Sequence, residues 1–263
     1  MGSHNYLSQI RITMYKTRFK KDIVCEFLPP KKAGKLNKII ILCDGMPSIP
    51  KKQDLVRFLS SKGYWVFYPR YRGTWESGGE FLGVSPEQDI IDIINELPSG
   101  VKESAFGRKF FPSPDLIYVI GGSFGGAAAL LSSLDHRVEK VIANCPVVDW
   151  SILKSEQGKE TSKKSYSSYI REAFGCAYRL KEKNWNKLRK GDFFNPISRV
   201  NEIGRSKIMV FHAKDDPVVP YKTVKRFADL TEVKLNTLVR GGHLSTDMIV
   251  RKYWQKIKVF FES

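Results

Sequence analysis

The chain has 263 residues, of which 42% are hydrophobic, 12% aromatic and 27% charged, so it can bury a full core and is not intrinsically disordered. No apolar run approaches the ~18 residues of a membrane helix, and the N-terminal stretch lacks the apolar core of a secretory signal. Lysine and arginine outnumber aspartate and glutamate by 44 to 27, which gives a formal net charge of +17. This excess favours anionic partners, but the basic residues are dispersed and no nucleic-acid-binding motif accompanies them. We therefore expect weak, non-specific polyanion binding by a solvated surface.

The four cysteines are far apart and form no C-x-x-C pair; they are Cys25, Cys43, Cys145 and Cys176. A structural zinc cluster needs closely spaced ligands, so we expect neither a metal nor another cofactor. Four free thiols are typical of a reducing compartment, which predicts a cytoplasmic protein.

Strands alternate with helices along most of the chain. Residues 6–28 alternate between apolar and polar side chains, which predicts an antiparallel pair of strands ended by Pro29-Pro30. The elements predicted after it are strand 38–43, helix 54–61, strand 64–68, helix 86–97, strand 116–120, helix 124–134, strand 138–143, strand 207–211, helix 224–230, strand 233–238 and helix 246–261. This alternation predicts an α/β fold, with a mainly parallel sheet and helices on both faces. A single domain over residues 1–263 fits the usual size of such folds.

Residues 150–200 interrupt the alternation with many lysines, serines and aromatics, whose spacing predicts short helices. An insertion that carries exposed aromatics between two core strands is typical of a lid over a site. Tyr178 and Trp185 are its candidate substrate contacts. The alternative is that these helices cover the sheet for packing alone.

The sequence Gly121-Gly122-Ser123-Phe124-Gly125-Gly126 follows a predicted strand and precedes an alanine-rich helix. This is the context of a G-x-S-x-G nucleophile elbow, a strained turn that lifts the serine hydroxyl above the sheet. The flanking residues must be glycines where a Cβ would strike a neighbouring strand or helix. Ser123 is therefore the candidate nucleophile.

A serine hydroxyl needs a base to remove its proton, and the base needs an acid to hold it in one tautomer. Asp216 and His243 follow two later strands, in the order Ser, Asp, His. Loops at the carboxyl ends of parallel strands meet at one edge of the sheet, so these side chains can converge. Asp215 is adjacent to Asp216, and Asp149 is a fallback acid whose alternative role is to cap a helix.

Several segments together resemble the α/β-hydrolase fold, and most closely the catalytic domain of prolyl-oligopeptidase-type serine peptidases and related esterases. These segments span residues 36–245 and are Asp44-Gly45-Met46-Pro47, Tyr71-Arg72-Gly73-Thr74, Gly121 to Gly126, Asn195-Pro196-Ile197-Ser198, His212 to Pro220, and Gly241-Gly242-His243. The resemblance implies an eight-stranded-type sheet with a small helical lid.

The resemblance also implies roles for individual residues. Its D-x-x-V-P pattern selects Asp216 as the acid, and it implies an acyl-enzyme whose oxyanion is bound by the backbone N–H groups of Met46 and Phe124. Asp44 replaces the family's usual histidine, so we expect its carboxylate to be paired or turned away.

Arg72 and Trp75 lie in a loop expected to edge the site. Arg72 is a candidate for gripping a substrate carboxylate, and its alternative role is to tie its own loop together. The family's substrate-filtering propeller has no room in this chain, so the sequence predicts ester or amide hydrolysis without choosing between esterase and peptidase. The alternative function is a non-catalytic hydrolase-fold protein that binds a ligand or an anionic macromolecule through its basic surface.

Overall fold

The structure, a computed structural model, describes residues 14–151 and 166–263. Its strands are β1 (Tyr15–Phe19), β2 (Ile23–Leu28), β3 (Lys38–Cys43), β4 (Trp65–Pro69), β5 (Val101–Lys102), β6 (Lys109–Phe110), β7 (Leu116–Gly122), β8 (Val138–Asn144), β9 (Ile208–Ala213) and β10 (Lys234–Leu238). Its helices are α1 (Gln53–Ser61), α2 (Pro86–Glu96), α3 (Phe124–Ser132), α4 (Tyr166–Phe174), α5 (Glu182–Trp185), α6 (Tyr221–Thr231), α7 (Thr246–Lys252) and α8 (Trp254–Phe261).

Eight of these strands form one sheet in the order β1-β2-β4-β3-β7-β8-β9-β10. The six strands from β4 to β10 in this order pair in parallel, whereas β2 is antiparallel to both β1 and β4. Residues 39–43 are fully buried, as expected of a continuous apolar strand covered on both faces. The predicted α/β fold with a mainly parallel eight-stranded sheet is confirmed.

The two faces of the sheet carry separate hydrophobic clusters. Helices α2, α3 and α6 contribute to one cluster, and helices α1, α7 and α8 contribute to the other. Helix α1, for example, buries Leu55, Val56, Leu59 and Ser60 along one side and leaves its other residues partly or fully exposed. Because parallel strands share a direction, the ends of β3, β7, β9 and β10 form one carboxyl edge.

Two details differ from the sequence-based predictions, and part of a third prediction is not described. The short hairpin β5–β6 was not predicted, because two-residue strands carry no periodicity. The closing helix is divided at Tyr253, whose φ of −109° and ψ of 22° are not helical and whose ring stacks on Phe211 at 5.2 Å. Ile10 and Ile12 of the predicted first strand lie outside the described residues.

The insertion contains short helices, as predicted, over the part that is described, and residues 152–165 lie outside that part. Its aromatics were expected to be exposed, and for several of them this is wrong. Trp150 and Phe194 are buried and pack on Phe124 of α3, with ring centroids 5.9 Å and 4.6 Å away. Within the described ranges, no helix is long and apolar enough to cross a membrane.

Candidate active site

Ser123 lies between the end of β7 and the start of α3, with a φ of 56° and a ψ of −120°. This backbone conformation is unfavourable for a residue with a Cβ, so the surrounding structure must hold it. A Cβ on Gly121 would lie 2.0 Å from the Gly125 carbonyl oxygen, and one on Gly122 would lie 2.1 Å from Thr246 Oγ1. The elbow therefore needs glycine at both positions, and Ser123 itself stays partly exposed.

Asp216 and His243 meet at the carboxyl edge, after β9 and β10. His243 Nδ1 lies 2.8 Å from Asp216 Oδ2, while the backbone N–H groups of Val218 and Val219 donate to Asp216 Oδ1 at 2.8 Å and 3.0 Å. Burial raises the pKa of Asp216, but these hydrogen bonds together outweigh burial and hold it below its usual value. Asp216 is thus a buried, ionised acceptor that fixes the orientation of the imidazole.

The Asp215 carboxylate binds backbone N–H groups of the loop that carries His243. Its Oδ1 accepts hydrogen bonds from the N–H groups of Gly241 and Gly242, each at 2.9 Å. The fallback acid Asp149 instead accepts bonds from the backbone N–H and the hydroxyl of Ser151, at 2.8 Å and 2.6 Å. Of the three candidate acids, Asp216 alone is bonded to the His243 ring.

Two buried residues beside Asp216 were not selected from the sequence. His212 Nε2 lies 3.0 Å from the Val219 carbonyl oxygen and 3.7 Å from Asp216 Oδ2, and burial lowers its pKa. Cys145 directly follows β8, and its Sγ lies within 4.8 Å of ligating atoms of Asp216 and His243. Burial raises the pKa of the Cys145 thiol to about 12, so it stays protonated at neutral pH. The one signal in the sequence that could have indicated Cys145 as a site residue is its position just after the apolar strand 138–143.

The loop after β3 runs beside the nucleophile elbow. A Cβ on Gly45 would lie 3.7 Å from Ser123 Cβ, so Met46 follows at the position next to the site. The carboxylate of Asp44 is paired, as expected, because its Oδ2 accepts the Tyr68 hydroxyl at 2.5 Å and its Oδ1 lies 3.0 Å from Lys52 Nζ. The negative charge of Asp44 is thereby compensated locally.

Aromatic side chains hold the loop after β3 through hydrogen bonds. The backbone N–H of Ser48 donates to the Tyr178 hydroxyl at 2.9 Å, and Trp75 Nε1 donates to the Ser48 carbonyl oxygen at 3.0 Å. The Tyr166 hydroxyl donates to the Met46 carbonyl oxygen at 3.4 Å. Trp75 and Tyr178 were predicted as substrate contacts, but their polar atoms are bonded to this loop and Tyr178 is buried. Trp185 is half-buried, with its ring 5.8 Å from that of Tyr166.

Arg72, the candidate for gripping a substrate carboxylate, has its guanidinium engaged by helix α2. Its backbone N–H donates to Asp89 Oδ2 at 2.7 Å, and its guanidinium pairs with Asp89 and, at 2.7 Å, with Asp92, both on helix α2. A substrate carboxylate would have to displace these two partners. Arg72 therefore ties its loop to α2, which is the alternative role.

Comparisons with known proteins agree with this architecture. The family model described as the prolyl oligopeptidase family matches residues 52–250. A comparison with curated protein sequences found no match.

Solved structures with the same fold include small esterases and larger peptidases. An esterase from Pyrococcus furiosus has 16% identity and a TM-score of 0.66, over 95% of this chain and 89% of that one. Est1E from Butyrivibrio proteoclasticus, solved with bound ferulic acid, has 14% identity and a TM-score of 0.67, over 94% and 99%. The acylaminoacyl peptidase of Pyrococcus horikoshii has 15% identity and a TM-score of 0.65, over 95% of this chain but 41% of its own.

Proposed function

The chain belongs to the prolyl oligopeptidase family, and from this premise we propose that it is a serine hydrolase that cleaves an ester or amide bond through Ser123, His243 and Asp216. Family membership indicates a hydrolase of the esterase or peptidase kind. The observation that carries the finer proposal is the 2.8 Å contact between His243 Nδ1 and Asp216 Oδ2, at the sheet edge where Ser123 directly follows β7.

The proposed reaction has two steps. His243 Nε2 removes the Ser123 hydroxyl proton as Oγ attacks the substrate carbonyl, and the imidazolium then protonates the leaving alcohol or amine. Water attacks the acyl-enzyme in the second step, with His243 again taking the proton and returning it to Ser123 Oγ. Asp216 stays ionised throughout, because its depressed pKa disfavours protonation, and it stabilises the imidazolium.

Backbone N–H donors stabilise the negative charge on the oxygen of each tetrahedral intermediate. We propose the N–H groups of Phe124, at the start of α3, and of Met46, in the loop after β3. The positive end of α3 adds to this stabilisation. Removing one donor of this kind typically lowers kcat by ~10²–10³.

The insertion at 150–200 is proposed as a lid within a single domain that spans the chain. Its support is the set of hydroxyl contacts from Tyr166 and Tyr178 to the loop of Met46 and Ser48. Trp185 is half-buried and makes no described hydrogen bond to that loop, so it remains the candidate for choosing among acyl groups.

The experiment is labelling with a fluorophosphonate, followed by turnover of p-nitrophenyl esters, hydroxycinnamoyl esters and aminoacyl amides. The hydroxycinnamoyl esters are included because Est1E was solved with ferulic acid. We expect the wild-type chain to be labelled and Ser123→Ala to lose both labelling and turnover while keeping its melting temperature. If the Ser123→Ala variant hydrolysed the substrates at the wild-type rate, the proposed nucleophile would be wrong.

A further inference from the structure

His212 is a fully buried histidine near the end of β9, and the proposed reaction has no step for it. Its Nε2 lies 3.0 Å from the Val219 carbonyl oxygen and 3.7 Å from Asp216 Oδ2. Its Nδ1 is also buried, and no hydrogen-bond partner lies beside it within residues 14–151 or 166–263. Two histidines therefore flank the Asp216 carboxylate, His212 in the interior and His243 at the partly exposed edge.

The surroundings of the His212 ring determine where its proton lies. A carbonyl oxygen can only accept, so the ring nitrogen that faces the Val219 carbonyl carries the proton. The opposite tautomer would place the Nε2 lone pair against that oxygen and leave a buried Nδ1–H without an acceptor. A doubly protonated ring would bury the same unpaired donor, and burial lowers the pKa of His212. His212 is thus a neutral imidazole with its single proton on Nε2.

The Nε2–H of His212 closes the turn that carries Asp216. At the far end of this turn, the backbone N–H of Val219 donates to Asp216 Oδ1 at 3.0 Å, and the carbonyl oxygen of the same residue accepts the His212 proton. Val219 is therefore held on both sides, by the carboxylate and by strand β9. The Val218 N–H also donates to Oδ1, at 2.8 Å. With Oδ1 occupied by these two donors, Oδ2 is the oxygen that faces the imidazole of His243.

We propose that His212 is a positioning residue of the triad, which orients the Asp216 carboxylate through Val219 and neither gains nor loses a proton during the reaction. This inference rests on the proposed role of Asp216 as the acid. A neutral donor suits this place, because a second imidazolium beside Asp216 would compete with His243 for the carboxylate. It would also repel the positive charge that His243 acquires when it takes the serine proton.

The test compares two substitutions whose side chains have nearly the same shape. His212→Gln keeps an N–H that can donate to the Val219 carbonyl oxygen, whereas His212→Met has no donor. We expect His212→Met to lower kcat on an ester substrate by about tenfold to a hundredfold, because misplacing a catalytic group by about 1 Å has a cost of this order. KM should change little, since the substrate does not touch His212. His212→Gln should retain most of the wild-type kcat.

A double-variant cycle shows whether His212 acts through Asp216. In the Asp216→Asn background, His212→Met should lower kcat little further, because residues that act as one unit give strongly non-additive losses. Asn236→Leu is the matched control, since Asn236 Nδ2 on β10 donates to the Val210 carbonyl oxygen of β9 at 3.1 Å and takes no part in the turn. This control should lower the melting temperature and leave kcat unchanged.

Equal loss of kcat in His212→Gln and His212→Met, or additive losses with Asp216→Asn, would overturn the proposal and leave His212 a packing residue. Nitrogen-15 NMR of the histidine-labelled wild-type chain tests the tautomer without any substitution or substrate. We expect the His212 ring to be neutral at neutral pH with its proton on Nε2, and a proton on Nδ1 would also overturn the proposal. Failure of the proposed function would instead appear as a wild-type chain that hydrolyses neither esters nor amides.

Discussion

Asp215 and Asp216 are neighbours in sequence, and their carboxylates hold the same loop at two successive points. Asp215 Oδ1 accepts the backbone N–H groups of Gly241 and Gly242, and Asp216 Oδ2 accepts the ring Nδ1–H of His243. The backbone that leads into the histidine and the histidine ring are therefore fixed by adjacent residues of one turn. An imidazole anchored in this way keeps a single orientation and tautomer.

The first prediction separates the two carboxylates. Asp216→Asn should lower kcat by as much as ~10⁴, because an amide at this position favours the wrong histidine tautomer. Asp215→Asn should cost much less, since its side-chain oxygen can still accept the two glycine N–H groups. Steady-state kinetics on one ester substrate measures both variants. The reverse ranking would assign the catalytic acid to Asp215.

The second prediction concerns the loop that carries Met46. Tyr178→Phe leaves the partly buried Ser48 N–H without its acceptor, so the loop should shift and kcat should fall by about tenfold to a hundredfold, with little change in KM. Tyr118→Phe is the matched control, because the Tyr118 hydroxyl donates to the Phe261 carbonyl oxygen at 3.1 Å on the other side of the sheet. It should lose about 1 kcal/mol of stability and keep its kcat. A raised KM with unchanged kcat in Tyr178→Phe would instead favour a direct substrate contact.

The third prediction uses the contact between the elbow and helix α7. Gly122→Ala should destabilise the chain by about 1–3 kcal/mol, because the new Cβ would lie 2.1 Å from Thr246 Oγ1. Adding Thr246→Ala removes that oxygen and should restore most of the lost stability. Gly121→Ala meets the backbone oxygen of Gly125 at 2.0 Å, so Thr246→Ala should not rescue it. Chemical denaturation of the single and double variants measures the coupling, and additive effects at Gly122 and Thr246 would contradict the contact.

The fourth prediction is a pH dependence of stability. The pKa of Asp216 is lower in the folded chain than in the unfolded chain, so the unfolded state binds the extra proton as the pH falls. The stability that Asp216 contributes is thus complete above about pH 4, the usual aspartate pKa, and is lost as the pH falls through the lower folded value. The difference in unfolding free energy between the wild type and Asp216→Asn should shrink in that range. A difference that grew on acidification would mean that the folded pKa is raised.

Much of the framework could be predicted because its signals are local. The strand and helix that flank Ser123 are continuous apolar segments with glycines between them, and the loops of Asp216 and His243 each directly follow a strand. Sequence spacing alone did not reveal how Asp215 and Asp216 divide their hydrogen bonds, since both lie within reach of the same loop.

Contacts between distant segments account for what the sequence did not predict. Tyr178 and Ser48 are 130 positions apart, and no periodic pattern links them. Without that contact, an aromatic residue in an insertion is interpreted as a substrate contact. The sequence likewise left two roles open for Arg72, because its partners Asp89 and Asp92 lie on α2, 17 and 20 positions further along the chain.

The position of β3 has a consequence for dividing the chain. Residues 38–43 precede the range 52–250 that matches the family model, yet β3 lies in the middle of the sheet between β4 and β7. A fragment trimmed to the matched range would lose that strand and the loop of Met46, and it would leave two facing rows of unpaired backbone groups. The range that matches the family model is therefore shorter than the sheet that the chain forms. A fusion or truncation that keeps the sheet intact must retain β1, β2 and β3.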